Sequence, residues 1–412
     1  LTDGMDKARA ERFAITHFFN PPRYMPLLEL VTTEATDAGV REALRQICDV
    51  ALGKKVIDCK DTPGFIGNRL GTLWVQVATN AAEDHGLTIE ESDALAGRHF
   101  GIPSTGIFKL MDLVGLDLGP YVSKSLYDNV NQGDMFREEY RESKLLGEMI
   151  AEGYTGRKGK GGWYRMTKID GQRVKEVKDL KTGEYRPVQK AKGAALAVSK
   201  KGARAVFDAG DTLAQAAWEY MSKYFVYAAD HALDIANSIF DVDEAMKTGY
   251  GFKWGPFELM DEVGPQWIAD KLREEGRAVP ALLDAVGAGS FYKVEDGERS
   301  YMLADGSFAK VVRPDGVLLL SDIKMRTEPV MKNSSASVWD LGDGVLCFEF
   351  TSMANSLDEG IMVMLNKTIS AIEKGDEYKA LVIHNEGKNF SVGANIGVML
   401  FSANIAAWPQ LQ

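Results

Sequence analysis

These 412 residues lack a paired-cysteine motif, a long apolar run and a basic stripe, and each absence removes a class of function. Cys48, Cys59 and Cys347 stand far apart, with no pair at metal-ligand spacing and no disulfide framework. A metal site is therefore not expected, and a reducing, cytoplasmic setting is. No apolar run approaches the roughly 20 residues that a membrane-crossing helix requires, so membrane insertion is not expected. Leu1-Thr2-Asp3-Gly4 has neither an initiator Met nor the basic-then-apolar layout of a signal peptide, which suggests a chain that begins partway through something longer. The formal charge of −11, with no Lys/Arg stripe, argues against nucleic acid, whose phosphates call for a basic face. Anionic small molecules stay open, because a few local cations suffice for them. Histidine is sparse, five in all, so the setting of each one carries weight.

The length predicts two to four domains, and the pattern along the chain predicts mainly helix with α/β parts. Phe13 to Phe19 reads as a short strand stopped by Asn20-Pro21-Pro22, Leu27–Val31 as a second, and Lys55–Cys59 as a third. Asp37 to Leu52 reads as an amphipathic helix capped by Thr36 or Asp37. Strand, helix, strand is the wiring of a doubly wound sheet, and residues 1–58 are expected to be its closing part. No G-x-G-x-x-G precedes these strands, so the opening strand and phosphate cradle of a dinucleotide-binding domain are expected to be missing.

From Pro63-Gly64-Phe65 onward long helices are predicted, beginning with Arg69 to His85 and Ile89 to Ala96. An internal repeat then shows itself. Gly106-Ile107-Phe108-Lys109-Leu110-Met111-Asp112-Leu113-Val114-Gly115 recurs as Gly255-Pro256-Phe257-Glu258-Leu259-Met260-Asp261-Glu262-Val263-Gly264. Upstream, Asp93-Ala94-Leu95 and Phe100-Gly101-Ile102 face Asp243-Glu244-Ala245 and Tyr250-Gly251-Phe252. Two copies of one helical domain are expected, at 59–165 and 205–330, separated by a polar β-rich connector at 166–204. Turns at Asp296-Gly297, Asp305-Gly306 and Asp315-Gly316 predict hairpins, and Met331 to Ser335 reads as a linker. Residues 336–412 open a further domain: two strands around Gly342-Asp343-Gly344, a helix from Leu357 to Lys374, and a buried strand from Ala380 to His384.

His17 is the sharpest chemical candidate, since an imidazole can take a proton near neutral pH while hydride leaves the same carbon. Glu29 on the next strand could hold the other ring nitrogen. Taken alone, the pair reads more readily as a hydrogen-bonded structural histidine beside a surface glutamate, and Asn68 as a helix cap. The wider pattern changes the balance. His17-Phe18-Phe19-Asn20-Pro21, Leu28-Glu29 and Asp61-Thr62-Pro63-Gly64-Phe65-Ile66-Gly67-Asn68-Arg69 together resemble the 3-hydroxyacyl-CoA dehydrogenase family in order and spacing. The resemblance implies the end of a Rossmann-type domain followed by helical dehydrogenase C-terminal domains. It implies NAD as cofactor, an acyl-CoA thioester as substrate, and a homodimer through the helical region. It also implies His17 as catalytic base and Glu29 as its partner, with replacement of His17 costing more than replacement of Glu29. Asn68 would contact substrate, and Asn20 and Lys158 would contact cofactor. Lys158 sits in Gly156-Arg157-Lys158-Gly159-Lys160-Gly161-Gly162-Trp163-Tyr164, which alone is equally a flexible basic loop. The family's catalytic Ser falls upstream of Leu1, so the NAD site is expected to be incomplete in this chain.

The last segment resembles a second family. Ala380-Leu381-Val382-Ile383-His384 and Gly387-Lys388-Asn389-Phe390-Ser391-Val392-Gly393-Ala394-Asn395-Ile396 are similar to the strand and oxyanion loop of the crotonase (enoyl-CoA hydratase/isomerase) group. That similarity implies the start of a crotonase-like domain in which the Ala394 N–H binds the substrate thioester oxygen. Asn395 stands where that group has Asp. The hydratase glutamates would follow Gln412, and Met399 to Trp408 alone is an apolar helix. The leading expectation is thus an NAD-dependent oxidoreductase of fatty-acid β-oxidation. A hydratase, or an inactive helical core that serves binding and assembly, are the alternatives.

Overall fold

The computed structural model describes residues 2–387, 389–397, 400 and 404, save the side chain of Ile169. It divides into two compact units, residues 1–292 with 301–309, and residues 293–300 with 310–412.

The first unit opens with the short helix α1 (Lys7–Ala10) and a three-stranded sheet of β1 (Ile15–Phe18), β2 (Leu27–Val31) and β3 (Lys55–Cys59). β1 runs antiparallel to β2, and β3 parallel to it. A parallel neighbour needs a crossover, which α2 (Ala38–Gln46) provides together with a π-turn over Ile47–Ala51. Asp37 starts α2 by accepting the Gly39 and Val40 N–H groups. Every residue of β2 is buried, as a central strand covered on both faces should be. Leu28 and Leu30 face Cys48 and Leu44 of the crossover. Leu27 and Val31 alternate to the other face and join the core of the helical part.

The helices of that part are α3 (Gly67–Asp84), α4 (Ile89–Leu95), α5 (Phe108–Val114), α6 (Gly119–Asn129), α7 (Met135–Glu139) and α8 (Lys144–Ala151). Next come a meander of β4 (Tyr164–Ile169), β5 (Gln172–Lys178) and β6 (Tyr185–Pro187), then α9 (Ala194–Val198) and α10 (Ala203–Phe207). The long α11 (Thr212–Ile235) is succeeded by α12 (Ile239–Tyr250), α13 (Pro256–Val263), α14 (Pro265–Glu274) and α15 (Ala281–Val286). In the hairpin between β4 and β5, Asp170 and Gly171 have φ of 49° and 81°, the paired positive values of a tight two-residue turn. α3 lies along α11 and buries Leu70, Leu73, Trp74 and Val77 against Met221, Tyr224 and Phe225 in one core. Each such side chain stabilises by about 1.5–3 kcal/mol through burial.

Two aspartate pairs tie this helical part together with matching hydrogen bonds. Asp93 accepts the N–H groups of Ile107 and Phe108, both at 2.8 Å, and the Tyr164 hydroxyl at 2.7 Å. Asp112 accepts those of Trp163 and Tyr164 at 2.8 and 2.9 Å. Further along, Asp243 accepts from Phe257 and Glu258 at 2.9 and 3.0 Å and from the Tyr292 hydroxyl at 2.7 Å. Asp261 accepts from Phe291 and Tyr292 at 2.8 and 3.0 Å. Gly106 and Gly255 allow the approach, since a Cβ there would collide with the backbone of Asp93 and Asp243. Burial pushes the Asp112 carboxyl up to about 6, against the pull of its two backbone donors. Proton affinity is then higher folded than unfolded, so this group's stabilisation is full below about pH 4 and lost as pH rises through 6. A carbon-13 NMR titration of Asp112 should give a midpoint near 6, and a midpoint near 4 would contradict the burial argument.

β7 (Tyr292–Glu295), β8 (Glu298–Met302) and β9 (Phe308–Lys310) form a further sheet around the turns at Asp296-Gly297 and Asp305-Gly306. The third turn, at Asp315-Gly316, departs from expectation. It leads into a helix, α16 (Leu320–Arg326), because a turn signal leaves the next element unspecified. In the second unit β10 (Met331–Lys332), β11 (Ala336–Asp340), β12 (Val345–Phe350) and β13 (Ala380–Ile383) make one sheet in that order. The expected linker at 331–335 is thus partly strand: Met331 and Lys332 pair with Val338 and Ser337. α17 (Glu359–Lys374), started by the Asp358 side chain, crosses over between the parallel β12 and β13. β13 is an edge strand among the described residues, with Ala380, Val382 and Ile383 exposed, where the sequence predicts a buried one. Lys388, and Met399 to Trp408 apart from Leu400 and Asn404, lie outside the described residues. No helix of the described residues is long and apolar enough to cross a membrane, and no group of potential metal ligands occurs among them.

Candidate active site

The β1–β2 register sets His17 directly opposite Glu29. Nδ1 of the imidazole lies 2.6 Å from Glu29 Oε2. A fully buried carboxylate can only accept there, so Nδ1 carries the proton and Nε2 is left with its lone pair. The other oxygen, Oε1, accepts the N–H groups of Ile66 and Gly67 at 3.0 and 2.7 Å. These are the first N–H groups of α3, which lack helical partners and carry the positive end of the helix dipole. Glu29 is thus held by three donors and has no freedom to turn. His17 keeps 29% of its side chain exposed, and Nε2 makes no hydrogen bond among the described residues.

The turn before α3 shapes the rest. Gly64 and Phe65 both adopt left-handed φ, 77° and 50°, and for Phe65 this is strain, held by its N–H on Thr62 O and the Arg69 N–H on Gly64 O. The turn brings the Phe65 ring to 5.7 Å from the imidazole, with Phe19 at 4.9 Å on another side. Asn68 is the second residue of α3 rather than its cap, because Gly67 already continues the helix from Ile66. Its half-buried amide makes no hydrogen bond among the described residues, so it is available to a ligand. Arg69 anchors the same turn of helix to Asp134 and Tyr227, whose hydroxyl donates to Asp134 at 2.9 Å.

α11 and α12 close the back of the site. Tyr250 stacks edge-on to Phe19 at 6.0 Å, and its phenol packs where a Cβ on Gly71 would sit. Burial, then the charge of Glu29, pushes the Tyr250 phenol up. The same two causes, in the same order, raise the Cys59 thiol, and Cys59 bridges to Ala236. Cys59 is therefore an inert packing group and not a nucleophile.

The remaining sequence candidates stand apart from this pair. Asn20 is exposed just beyond β1. Lys158 packs on Gly115 and pairs with Asp117 at 2.7 Å, with no contact to His17 or Glu29. The cation draws the Asp117 carboxyl below the usual range. Ala394 belongs to the second unit, bridged in parallel to Leu357. Leu357 donates to Gly393 O at 2.8 Å and accepts from Asn395 at 2.9 Å, which leaves the intervening Ala394 N–H without a hydrogen bond among the described residues. Sequence reading missed the Ile66 and Gly67 N–H groups and Tyr250. The first two lie inside the Pro-Gly-Phe segment it singled out, and Tyr250 is a repeat position whose nearness to Glu29 no local signal carries.

A family model for the 3-hydroxyacyl-CoA dehydrogenase NAD-binding domain matches residues 3–62. One for the 3-hydroxyacyl-CoA dehydrogenase C-terminal domain matches residues 64–166 and 220–300, so that the two together take in more than half the chain. A Bacillus subtilis protein named as a probable 3-hydroxyacyl-CoA dehydrogenase is 34% identical over 409 residues, 97% of this chain and 51% of the relative. A Rickettsia prowazekii protein named as a putative fatty acid oxidation complex trifunctional enzyme is 31% identical over 391 residues, 94% of this chain and 50% of the relative. The chain thus spans about half the length of the curated relatives it matches. The crystal structure of 3-hydroxybutyryl-CoA dehydrogenase from Escherichia coli aligns at a TM-score of 0.43 and 21% identity, over 66% of this chain and 70% of that one.

Proposed function

The chain belongs to the 3-hydroxyacyl-CoA dehydrogenase family, and from that membership we propose that it oxidises the 3-hydroxyl of an acyl-CoA to the 3-ketoacyl-CoA of fatty-acid β-oxidation. The observation that carries this reading is the 2.6 Å contact between His17 Nδ1 and a Glu29 carboxylate fixed by three donors. Nε2 then has the lone pair and the exposure to take the hydroxyl proton, and Glu29 stabilises the imidazolium so formed. NAD, when bound, supplies the acceptor for the departing hydride. The imidazole with one open nitrogen fits its reacting end, and Asn20 and Lys158 are assigned cofactor contacts by the family resemblance alone. Asn68, with its amide unengaged, holds the substrate oxygen near His17.

The matching aspartate networks around Asp93 and Asp243 support the reading that 59–165 and 205–330 are two copies of one helical domain, joined by the connector at 166–204. Residues 1–58 are then the Rossmann-type part, and 336–412 the start of a crotonase-like domain. The unbonded Ala394 N–H favours this last assignment, as an oxyanion donor must be free to bind. Homodimer formation through the helical part and a cytoplasmic setting complete the proposal. His17→Gln should leave the fold intact and lower NADH formation from a 3-hydroxyacyl-CoA about a hundredfold or more. Unchanged turnover in that variant would remove His17 from the chemistry.

A further inference from the structure

The loop from Gly156 to Gly162 borders a cleft of about 360 Å³ whose lining includes neither His17 nor Glu29. Its lining holds Lys109, Arg157, Lys160, Arg165 and Lys175, with Asp112 as the sole acidic group. Two of the five cations are neutralised: Lys109 meets Asp93 at 3.2 Å, and Arg165 meets Glu176 at 2.8 Å. Arg157, Lys160 and Lys175 have no carboxylate partner among the described residues, although Lys160 Nζ donates to the Glu152 carbonyl at 2.9 Å, which leaves its charge unbalanced. Asp112, whose oxygens accept the Trp163 and Tyr164 N–H groups, acts on Arg157 through its charge alone, so a single carboxyl faces these three cations. Lys175 is held in place, 4.8 Å from the centre of the Tyr164 ring, with Lys109 at 5.2 Å from it. That ring is itself fixed by its hydroxyl on Asp93. Gly159 and Gly161 leave the wall without side chains.

The surrounding sequence concentrates the same charge. Residues 157–201 hold fourteen Lys and Arg against four Asp and Glu, an excess hidden by the chain's total of −11. Holding uncompensated cations together costs energy through mutual repulsion, and an anion of matching charge relieves it. Arginine and lysine around an open wall suit the oxygens of a phosphate group, which accept several charge-assisted hydrogen bonds at once.

We propose that this cleft binds a phosphate-bearing anion through Arg157, Lys160 and Lys175. Lys158 is not part of it, being turned to Asp117. Two sources carry that chemistry, the nucleotide end of a CoA thioester and a free inorganic polyphosphate. Calorimetric titration at low salt with inorganic pyrophosphate and with adenosine 3′,5′-bisphosphate tests the site without turnover, so its failure and that of the dehydrogenase reading are separable. Both probes should bind the protein, and the double variant Arg157→Ala/Lys175→Ala should weaken them about tenfold or more. Lys190→Ala, which removes an exposed cation outside the cleft, should change affinity less than twofold. Competition of adenosine 3′,5′-bisphosphate by an acyl-CoA would identify the CoA source, and binding of pyrophosphate without such competition the inorganic one. No binding of either probe, or equal loss in Lys190→Ala, would overturn the site in favour of diffuse surface charge.

Discussion

Glu29→Gln should abolish most turnover, by roughly a hundredfold, approaching but not exceeding the cost of His17→Gln, because it disarms the same base. The reason lies in counting acceptors. Three donors converge on the Glu29 carboxylate: the Ile66 and Gly67 N–H groups on one oxygen and His17 Nδ1–H on the other. A glutamine amide has one oxygen. If that oxygen serves the two backbone donors, the amide NH₂ faces Nδ1, which must then accept. The ring proton moves to Nε2, the nitrogen required as base. If the amide is reversed, its NH₂ meets two N–H groups and the start of α3 is pushed away. Either way the open lone pair is lost while the overall fold remains. Nitrogen-15 NMR of His17 should report the exchanged tautomer alongside the kinetic loss. Turnover within tenfold of the parent protein would show that the carboxylate does not set the tautomer.

The second large effect concerns stability. Asp243→Ala leaves the Phe257 and Glu258 N–H groups and the Tyr292 hydroxyl without their acceptor, in a site with no solvent access. Burial and the neighbouring Glu258 push the Asp243 carboxyl well up, so its removal also relieves a desolvated acid. The two effects oppose each other, and the count decides. Each orphaned buried donor costs about 1–3 kcal/mol, and three of them outweigh one carboxyl whose protonation already relieves much of its own penalty. A net loss of about 3 kcal/mol is expected in urea unfolding, with at least a similar loss for Asp93→Ala, whose carboxylate accepts from three such donors and also pairs with Lys109. A loss under about 1 kcal/mol at Asp243 would mean that water or a shifted backbone replaces the acceptor.

Much of the α/β part was legible because its signals are local. β2 and β3 begin and end at the residues that the apolar runs predict, and the His17–Glu29 pair emerges once the two strands are laid side by side. In the sequence itself, Asp93 and Asp112 recur with their neighbours as Asp243 and Asp261, and the four carboxyls make matching hydrogen bonds. What escaped depends on packing between distant segments. Tyr250 reaches Phe19 across more than two hundred residues, and nothing in Tyr250-Gly251-Phe252 itself points there. Apolar content likewise does not say what will cover a strand, which is why β13 reads as buried and stands exposed among the described residues. The basic cleft escaped for another reason: a total charge averages over the whole chain and conceals a local excess of the opposite sign.

The position of Glu29 between β2 and the first turn of α3 makes the site an interlock. One oxygen reads whether the helix is seated, through Ile66 and Gly67, and the other arms the base on the neighbouring strand. Any hinge motion that separates sheet from helix must strip two donors from the carboxylate, freeing it to swing away from the imidazole. With His17 as the proposed base, the lone pair that takes the proton is then set only while the helix is seated.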